Sequence, residues 1–339
     1  LPNENYSREV QQLFSLGTIL LNPDGTPKLN AQGQTIPTYT QDTIFETTRA
    51  LTGWTFPGKA IKKGHNKPNF KGPMIPVEAN HDSGPKIIVG GVELPAGQTA
   101  QQDLDAVLAT IGSHPNVAPF ISLRLIQHLV AGNPSPQYLG RISAVFTETG
   151  GDLGAVVQAI LLDPEARAGD DPGNPVPPGA GHLRAPVLYV LNLIRAVNAT
   201  VSENNPLESL AAEMGQHLFY SPSVFNYYSP LYRTASGQLA PEFQLLNSSS
   251  ALVRANTVES LVSRGLDGNA SVNLSPFTAL ASQPERLVEA VDNAFLFGRL
   301  PAELKASIVT AISATKDSKE RARNAIYLVA TSSLYQVQH

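Results

Sequence analysis

From Thr99 to Leu334 apolar residues recur three and four positions apart, in segments broken by Gly or Pro. That period belongs to amphipathic helices and leaves little room for sheet. It predicts helices over Gln101–Gly112, Val117–Val130, Pro136–Glu148, Leu153–Leu162, Leu183–Val197, Pro206–Gly215, Phe243–Arg264, Pro284–Phe297, Ala302–Ala314 and Ser318–Leu334. The expected fold is mainly α: a multi-helix orthogonal array with long ordered loops and a few short strands. Hydrophobic residues make up 42% of the chain, enough for a full core.

The first hundred residues are less regular. A helix is expected from Asn3 through Gly17, and a second from Thr40 to Trp54, which ends on the lone tryptophan. Between them, 18–38 is a polar, Gly/Pro-marked excursion that reads as a hairpin or long loop. Residues 55–98 are rich in Gly, Pro, Lys and Asn and carry almost no helical period. Long loops of this kind often hold function. The expected organisation is a helical block over 1–167 with loop insertions at 18–38 and 55–98, a Pro/Gly-rich connection at 168–181, and a C-terminal helical block over 182–339 packing on the first.

Pro2-Asn3-Glu4-Asn5-Tyr6-Ser7-Arg8-Glu9 is the densest group of hydrogen-bonding side chains in the chain. Asn3 suits a cap and Glu4 the helix dipole. At 100° per residue Tyr6, Val10, Leu13, Leu16 and Gly17 share a face, and Glu9 falls inside that arc. A carboxylate there would be partly buried and in need of a partner from distant sequence. Two readings stand: a structural salt bridge or cap, or a ligand or acid/base group.

His81-Asp82, followed by Ser83-Gly84-Pro85-Lys86, precedes a turn and a short extended run at Ile87–Val89. A carboxylate beside an imidazole orients it, or both ligate a metal. A local turn-stabilising network is the other reading of the pair. Trp54 is either core or site wall. The segment Phe219–Tyr232 is the most aromatic in the chain and free of charge. It packs on the helices, or offers Tyr227 and Tyr228 as a platform for a sugar or another flat, partly apolar ligand.

Several classes are excluded. No cysteine is present, which removes disulfides, zinc thiolates, iron–sulfur ligation and Cys nucleophiles. A net charge of −4 with no Lys/Arg run leaves no footprint for nucleic acid, and no apolar run reaches the length of a membrane span. There is no phosphate loop, no Gly-X-Ser-X-Gly elbow and no His-Glu-X-X-His. The seven histidines show no metal-ligand spacing. A chain opening on Leu-Pro is expected to be a processed or truncated piece.

Several blocks together resemble one family. Asn3–Glu9 with Leu13–Gly17, Ala50–Trp54, and His81–Lys86 with Gly90 carry the first part of the match. His114-Pro115, Pro119–Ile121, Phe146 with Gly151–Leu153, Leu183–Pro186, Gly215-Gln216, Pro222–Val224, Pro241–Gln244 and Tyr335–Gln338 carry the rest. In this order and spacing they are similar to the bacterial domain-of-unknown-function family 1800.

The resemblance implies an exported, periplasmic or extracellular, largely helical protein with no established activity. It is encoded in many cases beside a sulfatase- or alkaline-phosphatase-like protein, and its full-length chain has an N-terminal half missing here. Two blocks depart from the family: Gln12-Leu13-Phe14 stands where Glu-Leu-His is common, and Phe225-Asn226 where Gly-Trp is common.

Two functions are therefore expected to compete. One is an exported hydrolytic or oxidative enzyme acting on an envelope or extracellular polymer. Glu9 or Asp82 would be its base or ligand, His81 its acid/base or ligand, and Lys86 its anion stabiliser. Asn3, Asn5, Tyr6, Trp54, Tyr227 and Tyr228 would bind the ligand, and a divalent metal would rest on Glu9, His81 and Asp82. The other is a non-catalytic surface or binding protein in which the same blocks lock loops onto helices.

Overall fold

Thr40, Thr99, Ser135, Asp152, Asn247 and Asp317 each accept a hydrogen bond from a backbone amide in the first turn of a helix. These caps satisfy donors that helix starts leave open. In the computed structural model, which describes residues 2–170, 180–203 and 206–338, the protein is mainly α-helical with a few two-residue strands. None of its described helices is long and apolar enough to cross a membrane. The chain forms two compact units, residues 1–129 with 134–163, and residues 130–133 with 164–339. Most of the Pro- and Gly-rich connection expected at 168–181 falls at 171–179, outside the described residues.

The first unit holds α1 (Asn5–Gln12), α2 (Gln41–Ala50), α3 (Ala100–Gly112), α4 (Val117–Leu129), α5 (Pro136–Glu148) and α6 (Leu153–Leu162). Leu16, Ala50, Ile88, Val89, Val107 and Ile111 form a buried cluster among them. The excursion at 18–38 folds on itself through antiparallel bridges Ile19↔Pro37, Leu21↔Pro27 and Leu29↔Thr35. Asn116 pins it: its amide donates to the Leu16 and Ile19 carbonyls at 2.7 and 2.9 Å, and its oxygen accepts from the Leu21 amide. The long loop carries two ribbons, β1 (Trp54–Thr55) with β2 (Ile75–Pro76), and β3 (Lys86–Ile87) with β4 (Glu93–Leu94).

The second helix stops at Ala50, short of Trp54. Gly53 explains the stop: its φ is +91°, and a Cβ there would lie 2.8 Å from the His81 Cβ. The chain must leave the helix for the two segments to meet so closely.

The second unit holds α7 (Pro186–Ala196), α8 (Leu207–Glu213), α9 (Ser248–Gly268), α10 (Ser275–Thr278), α11 (Pro284–Leu296), α12 (Ala302–Ser313), α13 (Ser318–Ala330) and α14 (Ser333–Gln336). Leu193, Val258, Leu287, Val291, Ile326 and Val329 are among the buried residues of its core. Two strands flank α7, β5 (His182–Leu183) before it and β6 (Thr200–Val201) after it; β6 pairs with β7 (Ala270–Ser271). The β5 strand pairs antiparallel with β8 (Val337–Gln338), in the register His182↔Gln338 and Leu183↔Val337.

In the second unit two expected helices also depart from their periodicity. Residues 241–245 are a 3-10 turn, because the Asn247 side chain caps the Ser250 amide and opens α9 only there. The terminal helix breaks after Ala330 and restarts as α14, which places Tyr335 in the core.

Candidate functional site

Each unit holds a buried group of charged side chains that includes a histidine facing a carboxylate. In the first unit the His81 block folds over the start of α3. Lys86 Nζ lies 2.7 Å from Asp103 Oδ2, and His81 Nε2 lies 3.2 Å from the same oxygen. The three side chains are at most 1% exposed. Lys86 also donates to the Gly84 carbonyl at 2.8 Å. His81 Nδ1 faces the Thr52 carbonyl at 3.1 Å, and the Thr52 hydroxyl accepts from the Asp82 amide.

Asp82 points elsewhere. Its carboxylate takes a two-pronged bond from Arg49 at 2.8 and 3.0 Å, and that guanidinium also reaches Glu46 at 2.6 Å. The Arg49 bond, reinforced by the Gly84 amide and opposed by burial, lowers the Asp82 pKa to about 2. The block is a network that fastens the long loop to α2 and α3. Lys86 is enclosed beside a carboxylate, so it is no open anion stabiliser.

Glu9 is partly buried, as its place on the arc implies, but the distant partner expected for it is absent: its carboxylate has no hydrogen bond or ion pair among the described residues. The buried face of α1 is instead Ser7 and Gln11. Ser7 donates to the Ile44 carbonyl at 3.1 Å, a contact that only a small side chain permits against α2. Helix α1 also ends at Gln12, so the 100° spacing that grouped Glu9 with Leu16 does not run that far. Tyr6 is 66% exposed, and Asn3 and Asn5 are exposed, with the Asn5 amide donating to Asn3 Oδ1 at 2.9 Å.

No group of three or more His, Asp or Glu side chains able to hold a metal occurs among the described residues. His81 and Asp82 face a carboxylate and a guanidinium, and Glu9 joins neither. The donor set proposed for a divalent metal therefore does not fit one.

Trp54 is half-buried on the β1–β2 ribbon, opposite Pro76. The aromatic segment is an exposed loop at its start, where Phe219 is 98% exposed and Tyr220 stacks on His217 at 4.3 Å. The Tyr227 hydroxyl donates to the His217 carbonyl at 2.5 Å. Tyr228 differs: burial, with the negative charge of Glu242 and a hydrogen bond to it, raises its pKa to about 12. Of the residues expected to bind a ligand, Tyr228 alone leads to the second polar group.

That group lines a cavity of about 520 Å³ within the second unit. His182 on β5 and Glu242 on the 3-10 turn face each other, Nδ1 to Oε1, at 3.6 Å, and both side chains are more than nine-tenths buried. At that distance they do not yet share a hydrogen bond, and His182 Nδ1, His182 Nε2 and Glu242 Oε2 have no hydrogen-bond partner among the described residues. Arg184, also in the wall, stacks its guanidinium over the Tyr335 ring at 4.6 Å, and its Nε has no acceptor.

The β5–β8 ribbon holds this wall in place. The Arg184 amide donates to the Gln336 carbonyl at 2.8 Å, and Arg254 from α9 bonds the residues that adjoin the two strands, donating to Gln336 Oε1 at 2.8 Å and to the Arg184 carbonyl at 2.9 Å. Phe243, Phe295, Leu296 and Leu334 give the cavity an apolar side. Sequence reasoning missed His182, Arg184 and Glu242 as site residues. The signal within reach was that three resembling blocks, Leu183–Pro186, Pro241–Gln244 and Tyr335–Gln338, all supply this wall.

Fold and site thus define a mainly α-helical protein of two units, with one closed charge network and one polar-walled cavity. The chain belongs to the family described as "Protein of unknown function (DUF1800)", whose model matches residues 1–337. Comparison with curated proteins and with solved structures gives no match.

Proposed function

We propose that the chain is an exported hydrolase whose working site is the cavity of the second unit, with His182 as general base and Glu242 as the group that orients it. The observation that carries this reading is the buried His182–Glu242 pair, 3.6 Å apart, beside a cavity and with His182 Nε2 unpartnered. A carboxylate facing Nδ1 favours the proton there and leaves the Nε2 lone pair for the proton of a water. Such contacts are commonly long before substrate arrives. Tyr228, a phenol held far above its ordinary pKa, donates to Glu242 and keeps that carboxylate placed.

In the reaction, water adds its oxygen to the scissile centre as His182 takes its proton. The bond to the leaving group breaks, and the same proton returns to the leaving oxygen. The cavity takes a small molecule or the end of an envelope or extracellular polymer. The enclosed His81–Lys86–Asp103 network supports the fold of the first unit rather than chemistry.

The test is turnover on a panel of chromogenic carboxylate, phosphate and sulfate esters and glycosides, for the wild type and for His182→Gln and Glu242→Gln. A general base is worth roughly 10²–10⁴-fold. The expected result is loss of at least about a hundredfold in kcat with an unchanged circular dichroism spectrum. Equal turnover in wild type and variants removes His182 and Glu242 from the chemistry and refutes this site, and no turnover on any member of the panel leaves the protein a non-catalytic binder.

A further inference from the structure

A guanidinium buried in protein is costly unless a carboxylate or another acceptor set meets it. Arg184 is 8% exposed, and no Asp or Glu lies within ion-pair distance of it among the described residues. The Tyr335 side chain beneath it offers a cation–π contact but no charge, and Nε stays without an acceptor. Next to it stands a second buried cation. Arg254 is 1% exposed, has no carboxylate partner either, and donates to the Arg184 carbonyl. Burial, with the charge of Arg184 as a lesser cause, pulls Arg254 down to about 10.

The cavity wall repeats this imbalance. Among the described residues that line it, the charged ones are Arg184, Arg299 and Glu242, and His182 is the only imidazole. Glu242 is already engaged by His182 and Tyr228. Arg299 likewise has no acidic partner among the described residues. Among its described residues the wall has more fixed cations than carboxylates, is closed on one side by aromatic and aliphatic groups, and is short of one anion.

We infer that the ligand of this cavity carries an oxyanion group, received by the Arg184 fork with Arg299, on an apolar body that seats against Phe243, Phe295 and Leu334. An Arg fork matches the paired oxygens of a carboxylate, sulfate or phosphate and gives up its water more readily than Lys. The inference deepens the hydrolase reading and rests on its choice of this cavity as the working site. It narrows the substrate to an anionic ester.

The experiment titrates the full chain with benzoate, phenyl sulfate and phenyl phosphate, and with neutral benzyl alcohol and cationic benzylamine as isosteres. Binding is followed by calorimetry and by the Arg Nε–H resonances of ¹⁵N-labelled protein. The expected result is saturable binding of at least one anion, at least about tenfold tighter than either isostere. An Arg Nε–H resonance should shift, and that shift should be absent in Arg184→Met. Arg184→Lys keeps the charge but loses the fork, and binds the same anion more weakly.

Equal binding of the neutral isostere, no saturation by any anion, or unchanged affinity in Arg184→Lys overturns the inference. The wild-type comparison stands even where Arg184→Met does not fold. Anion binding without turnover sinks the hydrolase and keeps the inference. Turnover confined to neutral esters, with no preference for anions, does the reverse.

Discussion

Removing the Asp103 carboxylate is the sharpest test of the enclosed network. Asp103 has no solvent exposure, and its Oδ2 meets both Lys86 Nζ at 2.7 Å and His81 Nε2 at 3.2 Å. At that nearer distance a pair of unit charges attracts by about 6 kcal/mol for an effective dielectric of 20. Desolvation of both groups offsets much of it in the wild type, so the pair adds little net stability. In Asp103→Asn the offset has no counterpart: Lys86 stays buried, 2% exposed, with its charge unmet. The expected cost is about 3–5 kcal/mol. Urea denaturation followed by fluorescence measures it, because Trp54 is the only tryptophan and lies in the same unit as Asp103. In the double variant Lys86→Met/Asp103→Leu both charges are gone, and most of the loss should be recovered. A loss under about 1 kcal/mol in Asp103→Asn would refute the argument that these charges are dry and mutually dependent.

Two further outcomes separate the network from its surroundings. Glu9→Ala should change stability by no more than about 0.5 kcal/mol in the same assay, since its carboxylate meets no partner; a cost like that of Asp103→Asn would show that Glu9 is buried after all. Asp82 titrates at about 2 in the folded protein against 3.8 as its model value, so its contribution is present above the higher value and fades as pH falls through the lower one. With 38% of the side chain exposed, screening reduces that contribution to about 1 kcal/mol. Asp82→Asn should therefore lower stability by this amount at neutral pH and match the wild type once pH falls below about 2. A difference independent of pH across that window would mean that the Arg49 bond is not what the substitution removes.

The helices were legible because their causes are local. Thr99 with Gln102, Ser135 before Pro136, and Asp152 before an apolar run all announce a helix start within a few residues. Where the structure departs from the apolar period, a cap or a distant contact overrides it. The Asn247–Ser250 capping box opens α9 later than the apolar period suggests, and Gly53 ends α2 early because a distant residue, His81, has to approach it. Half of the closed network was legible too, since His81 and Lys86 stand in one polar block. Asp103 was not: an acid in the first turn of a helix already has an explanation in the helix dipole. The cavity was hidden for a related reason. His182, Glu242 and Tyr335 each lie at the edge of a segment with its own local account, and only the β5–β8 pairing and the turn at 241–245 join them.

The two polar groups use nearly the same residue types, and their difference decides which one has work to do. In the first, one carboxylate touches both the Lys86 ammonium and the His81 ring, and although Lys86 borders a hollow its ammonium is taken up by Asp103 and the Gly84 carbonyl. A ligand could enter only by displacing Asp103 from Lys86, which trades one buried ion pair for another and gains nothing. In the second, the cations outnumber the carboxylate, and Arg184 Nε and His182 Nε2 stand unpartnered in the wall of an existing space. There a ligand adds interactions without breaking any, so its binding is driven by a deficit that folding leaves in place. Arg254 has its structural account in the bonds to Gln336 and the Arg184 carbonyl, whereas Arg184, with an Nε that nothing accepts from, is the cation that an oxyanion arriving from outside would answer.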